Sequence, residues 1–145
     1  MVTSIGTQDL GTGIRTCVHQ VTADVLGIQM SLVTPKIGRS SLPNAPGSGG
    51  SITIGSVTPV ICNVGKKALA ELLAKVARAL GVSPDELVCE DSVIFSTRDR
   101  SKSMKWKDAC ALLQGKVLSV QDGWVEGYSS SGVAGCQFLE VEVDV

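Results

Sequence analysis

A long apolar stripe in the middle of the sequence constrains the fold more than any other feature. Its members recur every three or four residues, which is the spacing of one face of an α-helix: Val57, Val60, Ile61, Val64, Ala68, Leu72, Val76 and Leu80. Ser56 is placed to cap this helix and Gly81 to end it. Pro59 is expected in the first turn, where its missing amide proton costs no hydrogen bond. A helix of about six turns over residues 56–80 must bury one face, so the rest of the chain has to cover it.

Shorter elements on both sides of this helix provide that cover. Val18, Val21 and Val25 recur at helical spacing and predict a helix over residues 15–26, which Gly27 ends. A helical turn at residues 83–86 and a helix at residues 106–113 follow the long helix. Strands are predicted at residues 2–6, 28–33, 87–90, 93–97, 117–121, 124–127 and 139–145. Asp122 and Gly123 form the turn of a hairpin. We expect an α+β fold of two layers, with a mixed β-sheet and the helices packed on one face.

Length and charge exclude several classes of function. The 145 residues are close to the usual size of one domain, so residues 1–145 are expected to share a single core. With 13 basic and 14 acidic residues, the net charge is -1, which offers no basic surface for nucleic acid or an anionic membrane. No stretch approaches the roughly 20 apolar residues of a membrane span.

The cysteines argue against both disulfides and zinc. There are 5 of them, an odd number, and no two have Cys-x-x-Cys spacing. A reducing, cytoplasmic compartment is therefore the default expectation.

Familiar catalytic motifs fail on spacing. Residues 11–16 lack the third glycine of a dinucleotide-binding loop, and residues 60–67 lack the first glycine and the hydroxyl residue of a phosphate-binding P-loop. The only histidine, His19, lies within the first predicted helix, where an ordinary surface or packing role is expected. No catalytic residue and no metal ligand is predicted.

Two glycine-rich loops each lead directly into a predicted helix. One spans residues 7–13, and the other is the run Gly-Ser-Gly-Gly-Ser at residues 47–51. Unpaired amide donors and the positive end of a helix dipole suit such a loop to an anionic ligand. On composition alone, however, residues 47–51 fit a flexible connector better than a binding loop.

These two loops resemble those of a known family. Gly-Thr-Gln-Asp-Leu-Gly-Thr-Gly at residues 6–13, with the three residues after it, resembles the first cofactor-contacting loop of the molybdenum subunits of the xanthine dehydrogenase and aldehyde oxidase family, especially bacterial aldehyde oxidoreductases. Residues 45–53 resemble the second such loop. Residues 135–144, ending in Glu-Val-Glu-Val-Asp, are similar to the strand that follows it.

The resemblance implies a role in cofactor binding within a molybdenum hydroxylase. Enzymes of this family oxidise aldehydes or N-heterocycles with water as the oxygen source, at a molybdenum held by molybdopterin that is often in its cytosine dinucleotide form. The implied cofactor-binding residues are Gly11, Thr12, Gly13, Gly49, Gly50, Ser51 and Thr53. The implied partners are the rest of the molybdenum subunit and iron-sulfur and FAD subunits or domains. For the parent family a periplasmic location is an alternative to the cytoplasm.

Two departures from the family pattern limit what the resemblance implies. Thr12 stands where many members have a glutamine, which leaves the substrate open. The family's catalytic glutamate lies far downstream, and no residue here matches it. Glu140 and Glu142 are instead expected to be solvated charges on the outer face of the last strand.

Three interpretations follow. In the first, the chain is a piece of a larger molybdenum-cofactor-binding domain, inactive and without cofactor when alone; its end at an apolar position of a patterned strand favours this. In the second, it is a non-catalytic stand-alone binding or interaction module that retains the fold. In the third, it is an unrelated α+β domain whose glycine-rich stretch is a linker. The first predicts that residues 11–13 and 48–53 converge on a common cleft, whereas the third separates them.

Overall fold

A computed structural model describes residues 1–128 and 135–144 of the chain. The α+β class predicted from the sequence is confirmed. The helices are α1 (Ile14–Leu26), α2 (Thr53–Leu80) and α3 (Trp106–Ala111), with 3-10 turns at Met30–Leu32 and Pro84–Glu86. The strands are β1 (Val2–Ser4), β2 (Thr34–Lys36), β3 (Leu87–Glu90), β4 (Val93–Ser96) and β5 (Ser103–Lys105).

The strands form two small sheets rather than one continuous surface. β1 and β2 pair in parallel, with Val2 opposite Thr34. β3, β4 and β5 form an antiparallel sheet in that order. The described part of the chain therefore contains both strand orientations, one in each sheet.

The two long helices hold the sheets together through two apolar clusters. The first cluster joins Ala23 and Leu26 at the end of α1 to Leu72 and Val76 of α2, and it includes side chains of β3, β4 and α3. The second cluster consists of Ile5, Ile14, Val18, Ile37, Val57 and Ile61. Early residues of α1 thus pack on early residues of α2, and late residues pack on later ones. The two helices run in the same direction, and their N-termini lie at the same end of the molecule.

A glycine in α2 permits the close approach of these helices. A Cβ atom at Gly65 would lie 2.7 Å from Cγ1 of Val25, which is too close for unchanged packing. Gly65 is buried between the two clusters. Glycine costs helix stability in an interior position, and here the cost is offset by contact between α1 and α2.

The strand predicted at residues 28–33 is wrong. Gly27 ends α1 in the left-handed conformation, as predicted, and its carbonyl accepts a hydrogen bond from the amide of Ser92 at 2.9 Å. The chain then makes the 3-10 turn at Met30–Leu32 before β2 begins. Pro35 lies within β2. The bonds to β1 use the flanking residues Thr34 and Lys36, so the missing amide proton of Pro35 faces away from β1.

The beginning of α2 also differs from the prediction. The helix starts at Thr53 rather than after Ser56, and the hydroxyl of Ser56 donates backward to the carbonyl of Ile52 at 2.9 Å. Pro59 is consequently the seventh helical residue rather than a first-turn residue. Its ring is buried, and the helix lacks one interior hydrogen bond there.

Two predicted features near the C-terminus do not form. Residues 117–121 and 124–127 are not paired as strands, so the hairpin prediction is wrong. Residues 139–144 form no strand either, and Val145 lies outside the described residues. The antiparallel sheet instead gains β5, whose three residues are too few to be recognised as a strand from their pattern.

Leu72→Ala tests the burial of the α2 stripe. Leu72 is buried in the larger cluster, so we expect the free energy of unfolding to fall by about 2 to 5 kcal/mol, measured by chemical denaturation. Glu71→Ala is the matched control, because Glu71 is the exposed neighbour in the same helix; a change within about 0.5 kcal/mol is expected. Equal effects of the two substitutions would contradict the packing described.

Candidate functional site

The two glycine-rich loops meet through one glutamine side chain. The backbone amide of Ser48 donates to Oε1 of Gln8 at 2.7 Å, and the hydroxyl of Ser48 donates to the carbonyl oxygen of Gln8 at 3.2 Å. These residues are separated by 40 positions in the sequence. Two hydrogen bonds between the same pair of residues fix both the spacing and the orientation of the loops. This contact favours a common surface over a linker that is free of the domain.

The first loop reaches α1 through glycines that need left-handed backbone. Gly11 and Gly13 have φ angles of 82° and 85°, and Gly13 is the N-cap of α1. A side chain at either position would be strained, although a Cβ atom would meet nothing within 4 Å. Thr12 lies between them, exposed to solvent.

The second loop has a similar relation to α2. Gly50 and Ser51 have φ angles of 54° and 60°, and the turn is closed by a 3.2 Å bond from the amide of Ile52 to the carbonyl of Gly49. Thr53, half-buried, is the first residue of α2. Gly49 has neither a left-handed backbone nor a crowded Cβ position, so the fold itself does not require a glycine there.

Both helices begin without a capping side chain. Gly13 has no side chain to offer, and Ile52 at the start of α2 has no hydrogen-bonding group. The first bond of α1 is from Cys17 to Gly13, and that of α2 is from Ser56 to Ile52. Within residues 1–128 and 135–144, the three amides that precede each of these bonds have no partner. Six donors and two positive helix ends are therefore available at one end of the molecule, an arrangement that suits an anionic ligand.

The charges around the loops are mutually compensated. Arg15, in the first turn of α1, forms an ion pair with Asp9 at 3.2 Å, with about half of its side chain exposed. Exposed pairs of this kind contribute little to stability. The cationic character of the site therefore comes mainly from the helix ends rather than from side chains.

One buried hydroxyl at the start of the first loop has no partner. Thr7 is fully buried, and its Oγ1 makes no hydrogen bond within the described residues. Its carbonyl accepts a bond from the amide of Gly38 at 2.9 Å, which ties this loop to the chain after β2. The other buried threonine, Thr22, is paired with Thr3 through their hydroxyl groups at 3.0 Å.

Sequence reasoning missed Gln8, Ser48 and Thr7. The seven predicted cofactor-binding residues all lie on the two loops or at the first turn of α2, but none of them makes the contact that joins the loops. A signal was present in the long amide side chain at position 8, which can bridge two backbones, but nothing local indicates its partner 40 residues away.

Among the described residues, the other ionisable groups form neither a metal cluster nor an activated thiol. In the described part of the chain, no three side chains of histidine, cysteine, aspartate or glutamate are grouped to hold a metal ion. Burial, with a smaller contribution from Cys110, raises the pKa of the Cys89 thiol to about 11, and burial also raises the pKa of Cys110. Both thiols stay protonated near neutral pH, so neither is an activated nucleophile.

No helix among the described residues is both long and apolar enough to cross a membrane.

A family comparison decides what kind of domain carries these loops. A sequence model described as "Molybdopterin cofactor-binding domain" matches residues 1–145. The chain belongs to the molybdopterin cofactor-binding domain family. The predicted resemblance is thereby confirmed, and the interpretation as an unrelated domain with a linker is wrong. No curated protein matched the chain.

Solved structures share this fold over a small part of their length. Quinoline 2-oxidoreductase from Pseudomonas putida 86 is 20% identical, with a TM-score of 0.67 over 75% of this chain and 14% of that one. Reconstituted CO dehydrogenase from Oligotropha carboxidovorans is also 20% identical, with a TM-score of 0.67 over 81% of this chain and 15% of that one. A Cu,Mo-CO dehydrogenase in its carbon monoxide reduced state is 21% identical, with the same TM-score over 83% and 16%. This molybdopterin cofactor-binding domain therefore spans about one-seventh of the chains it matches.

Gln8→Ala tests the contact between the loops. Without the side-chain acceptor, the amide of Ser48 should exchange its hydrogen with solvent about fivefold faster, because one hydrogen bond is worth about 1 kcal/mol. Gln20→Ala is the matched control, since Gln20 is an exposed residue of α1. Exchange at Ser48 that is unchanged in Gln8→Ala would show that the loops do not depend on this contact.

Thr7→Val and Thr22→Val test the unpaired hydroxyl. Removing the Thr7 hydroxyl should leave the free energy of unfolding unchanged or raise it by about 1 kcal/mol, because a buried polar group without a partner is destabilising. Thr22→Val should lower it by about 1 kcal/mol, since the hydroxyl of Thr3 loses its partner. Thermal or urea unfolding measures both, and equal losses would mean that Thr7 also has a partner.

Proposed function

We propose that this chain forms one wall of the cofactor site of a molybdenum hydroxylase. The observation that carries the proposal is the pair of uncapped helix N-termini behind two glycine loops, joined by Gln8 and Ser48. In this proposal Gly11, Thr12, Gly13, Gly49, Gly50, Ser51 and Thr53 contact the cofactor. The molybdopterin group supplies the dithiolene that holds molybdenum, and in the complete enzyme aldehydes or N-heterocycles are oxidised with oxygen from water.

The residues present fit a ligand with a pterin and phosphate groups. The uncapped amides of Ile14 and Arg15 in α1, and of Ile54 and Gly55 in α2, are donors without side-chain competitors. The amides of such helix ends bind phosphate oxygens without requiring a lysine or arginine. Ser51 and Thr53 add hydroxyl groups that can both donate and accept. This donor set fits a cytosine dinucleotide form as well, because that form adds a second phosphate.

The glycines allow the backbone to approach the ligand directly. Gly49 is the most informative, because neither backbone strain nor crowding in the fold explains the missing side chain. A ligand lying against this segment does explain it, since any Cβ atom would occupy the space of the ligand. Two reasons favour glycine at Gly11, Gly13 and Gly50. The turn requires a left-handed backbone there, and the absence of a side chain leaves space for the ligand.

The rest of the enzyme lies outside this chain in the proposal. The catalytic base, the opposite wall of the cofactor site and the substrate pocket belong to other parts of the molybdenum subunit. Electrons leave through iron-sulfur and FAD partners, and the complete enzyme works in the cytoplasm. The chain alone makes only part of the contacts that the complete site makes with the cofactor. Binding still carries the full entropic cost of immobilising the ligand, so the chain alone binds the cofactor weakly.

Gly49→Val and Gly123→Val in the complete molybdenum subunit test the glycine assignment. Both glycines lack left-handed backbone, and a Cβ atom at either meets nothing within 4 Å, so neither substitution should change the thermal midpoint. Gly49→Val should lower the molybdenum content per subunit about tenfold, because the side chain blocks the ligand, whereas Gly123→Val should retain it. Full metal content in Gly49→Val would contradict the assignment of the second loop.

The isolated chain provides a second test. Purified from cells that make the cofactor, it should contain molybdenum far below one atom per chain and should reduce no dye with aldehydes or purines. It lacks the base whose proton transfer typically accelerates such a step by about 10² to 10⁴. Stoichiometric molybdenum with turnover would show that the chain is a complete enzyme, and tight cofactor binding without turnover would favour a stand-alone binding module.

A further inference from the structure

One edge of β1 borders an open groove on the surface. The groove has a volume of about 600 Å³ and is lined by the consecutive residues Met1 to Ile5 on one side. Val60, Val64 and Ala68 of α2 form its floor, and residues 117–122 form its other side. Val60 and Val64 belong to the apolar stripe of α2, but α1 and the sheets leave them half-exposed. The groove is therefore an apolar trough beside a strand edge.

The bordering edge of β1 has backbone groups available for another strand. In the parallel pair, Met1 and Ile5 bond to β2, through the carbonyl of Met1 and the amide of Ile5. Because successive residues of a strand direct their hydrogen-bonding groups to opposite edges, those of Val2 and Ser4 point away from β2. Within the described residues, β1 has no strand on that edge. Unpaired edges of this kind are templates for strand addition.

A segment of the same chain has the pattern of the missing strand. Residues 139–144 alternate between apolar and acidic side chains, yet they pair with nothing in the described structure. Phe138, Leu139, Val141 and Val143 are 93%, 90%, 69% and 74% exposed. Leu139, Val141 and Val143 stand at every second position, and such a row of exposed apolar side chains favours a cover in water.

The segment can reach the groove. Tyr128 is held on α2, where its hydroxyl accepts a hydrogen bond from Nζ of Lys66 at 3.2 Å, and Lys66 follows the groove residues Val64 and Gly65. Phe138 lies ten positions after Tyr128 in the sequence, and an extended chain of that length spans up to about 35 Å. The groove floor from Val60 to Ala68 is only about 12 Å long. The attachment also gives the segment an effective concentration on the order of millimolar, which favours it over a second copy.

We infer that residues 138–143 dock in this groove as a third strand beside β1. Their backbone pairs with Val2 and Ser4, and Leu139, Val141 and Val143 pack on the α2 floor. Glu140 and Glu142 then face solvent, in agreement with their expected role as outer-face charges. The docked strand covers the remaining apolar face of α2 and removes the open edge of β1. This inference concerns assembly of the domain and does not depend on the proposed cofactor site.

Amide hydrogen exchange of the full 145-residue chain tests the docking. We expect the amides of Val2 and Ser4, and alternate amides of residues 138–143, to exchange at least about tenfold more slowly than unprotected amides. Val141→Asp, which places a charge on the apolar floor, should abolish the protection of both segments together. Glu142→Asn, on the outer face, should retain it, and unchanged exchange in the middle of α2 verifies that each variant is folded.

Three results would overturn the inference. Unprotected exchange at residues 138–143 in the unaltered chain would show that the segment does not dock. Protection of Val2 and Ser4 that survives Val141→Asp would show that something else pairs with β1. Protection that rises with protein concentration would identify a second copy as the occupant instead of the chain's own segment.

Discussion

The parallel packing of α1 on α2 is the constraint on which the rest of the structure depends. It requires Gly65, because any side chain there would collide with Val25 and separate the helices. Because the helices run in the same direction, both of their N-termini lie at one end, and the loops that precede them are brought together. Antiparallel packing of the same two helices would have placed the glycine loops at opposite ends. The proximity of the two loops therefore follows from the direction of packing and not from the loop sequences alone.

The end of the molecule that carries the loops is less stabilised than the end that carries the larger core. Neither helix has a capping side chain, six first-turn amides lack partners among the described residues, and Thr7 buries an unpaired hydroxyl. Each feature reduces stability, because polar groups without partners are costly in a folded protein. Departures from local rules that are concentrated in one place are typical of functional sites. Here they are concentrated at the two glycine-rich loops.

The sequence predicted the parts of the fold that depend on local pattern. The helices at residues 15–26 and 56–80 followed from apolar periodicity, and Gly27 and Gly81 end them as expected. Prediction from the sequence failed where the structure depends on distant partners. Residues 28–33 have the composition of a strand, but the backbone at Gly27 packs closely against Cys89. The strand therefore forms later in the chain, as β2. Residues 139–144 have a clear strand pattern but lack a paired strand. The candidate loops were found by resemblance, whereas Gln8, which joins them, depends on a contact across 40 residues that no local pattern contains.

The most direct test of the account is the structure of the complete molybdenum subunit with its cofactor bound. Backbone amides from both loops, at residues 11–16 and 49–55, are expected within about 2.7 to 3.2 Å of cofactor oxygen or nitrogen atoms. The contact between Gln8 and Ser48 is also expected to persist beside the ligand. A cofactor that contacts only one of the two loops, or that lies at the opposite end of α1 and α2, would contradict the central claim.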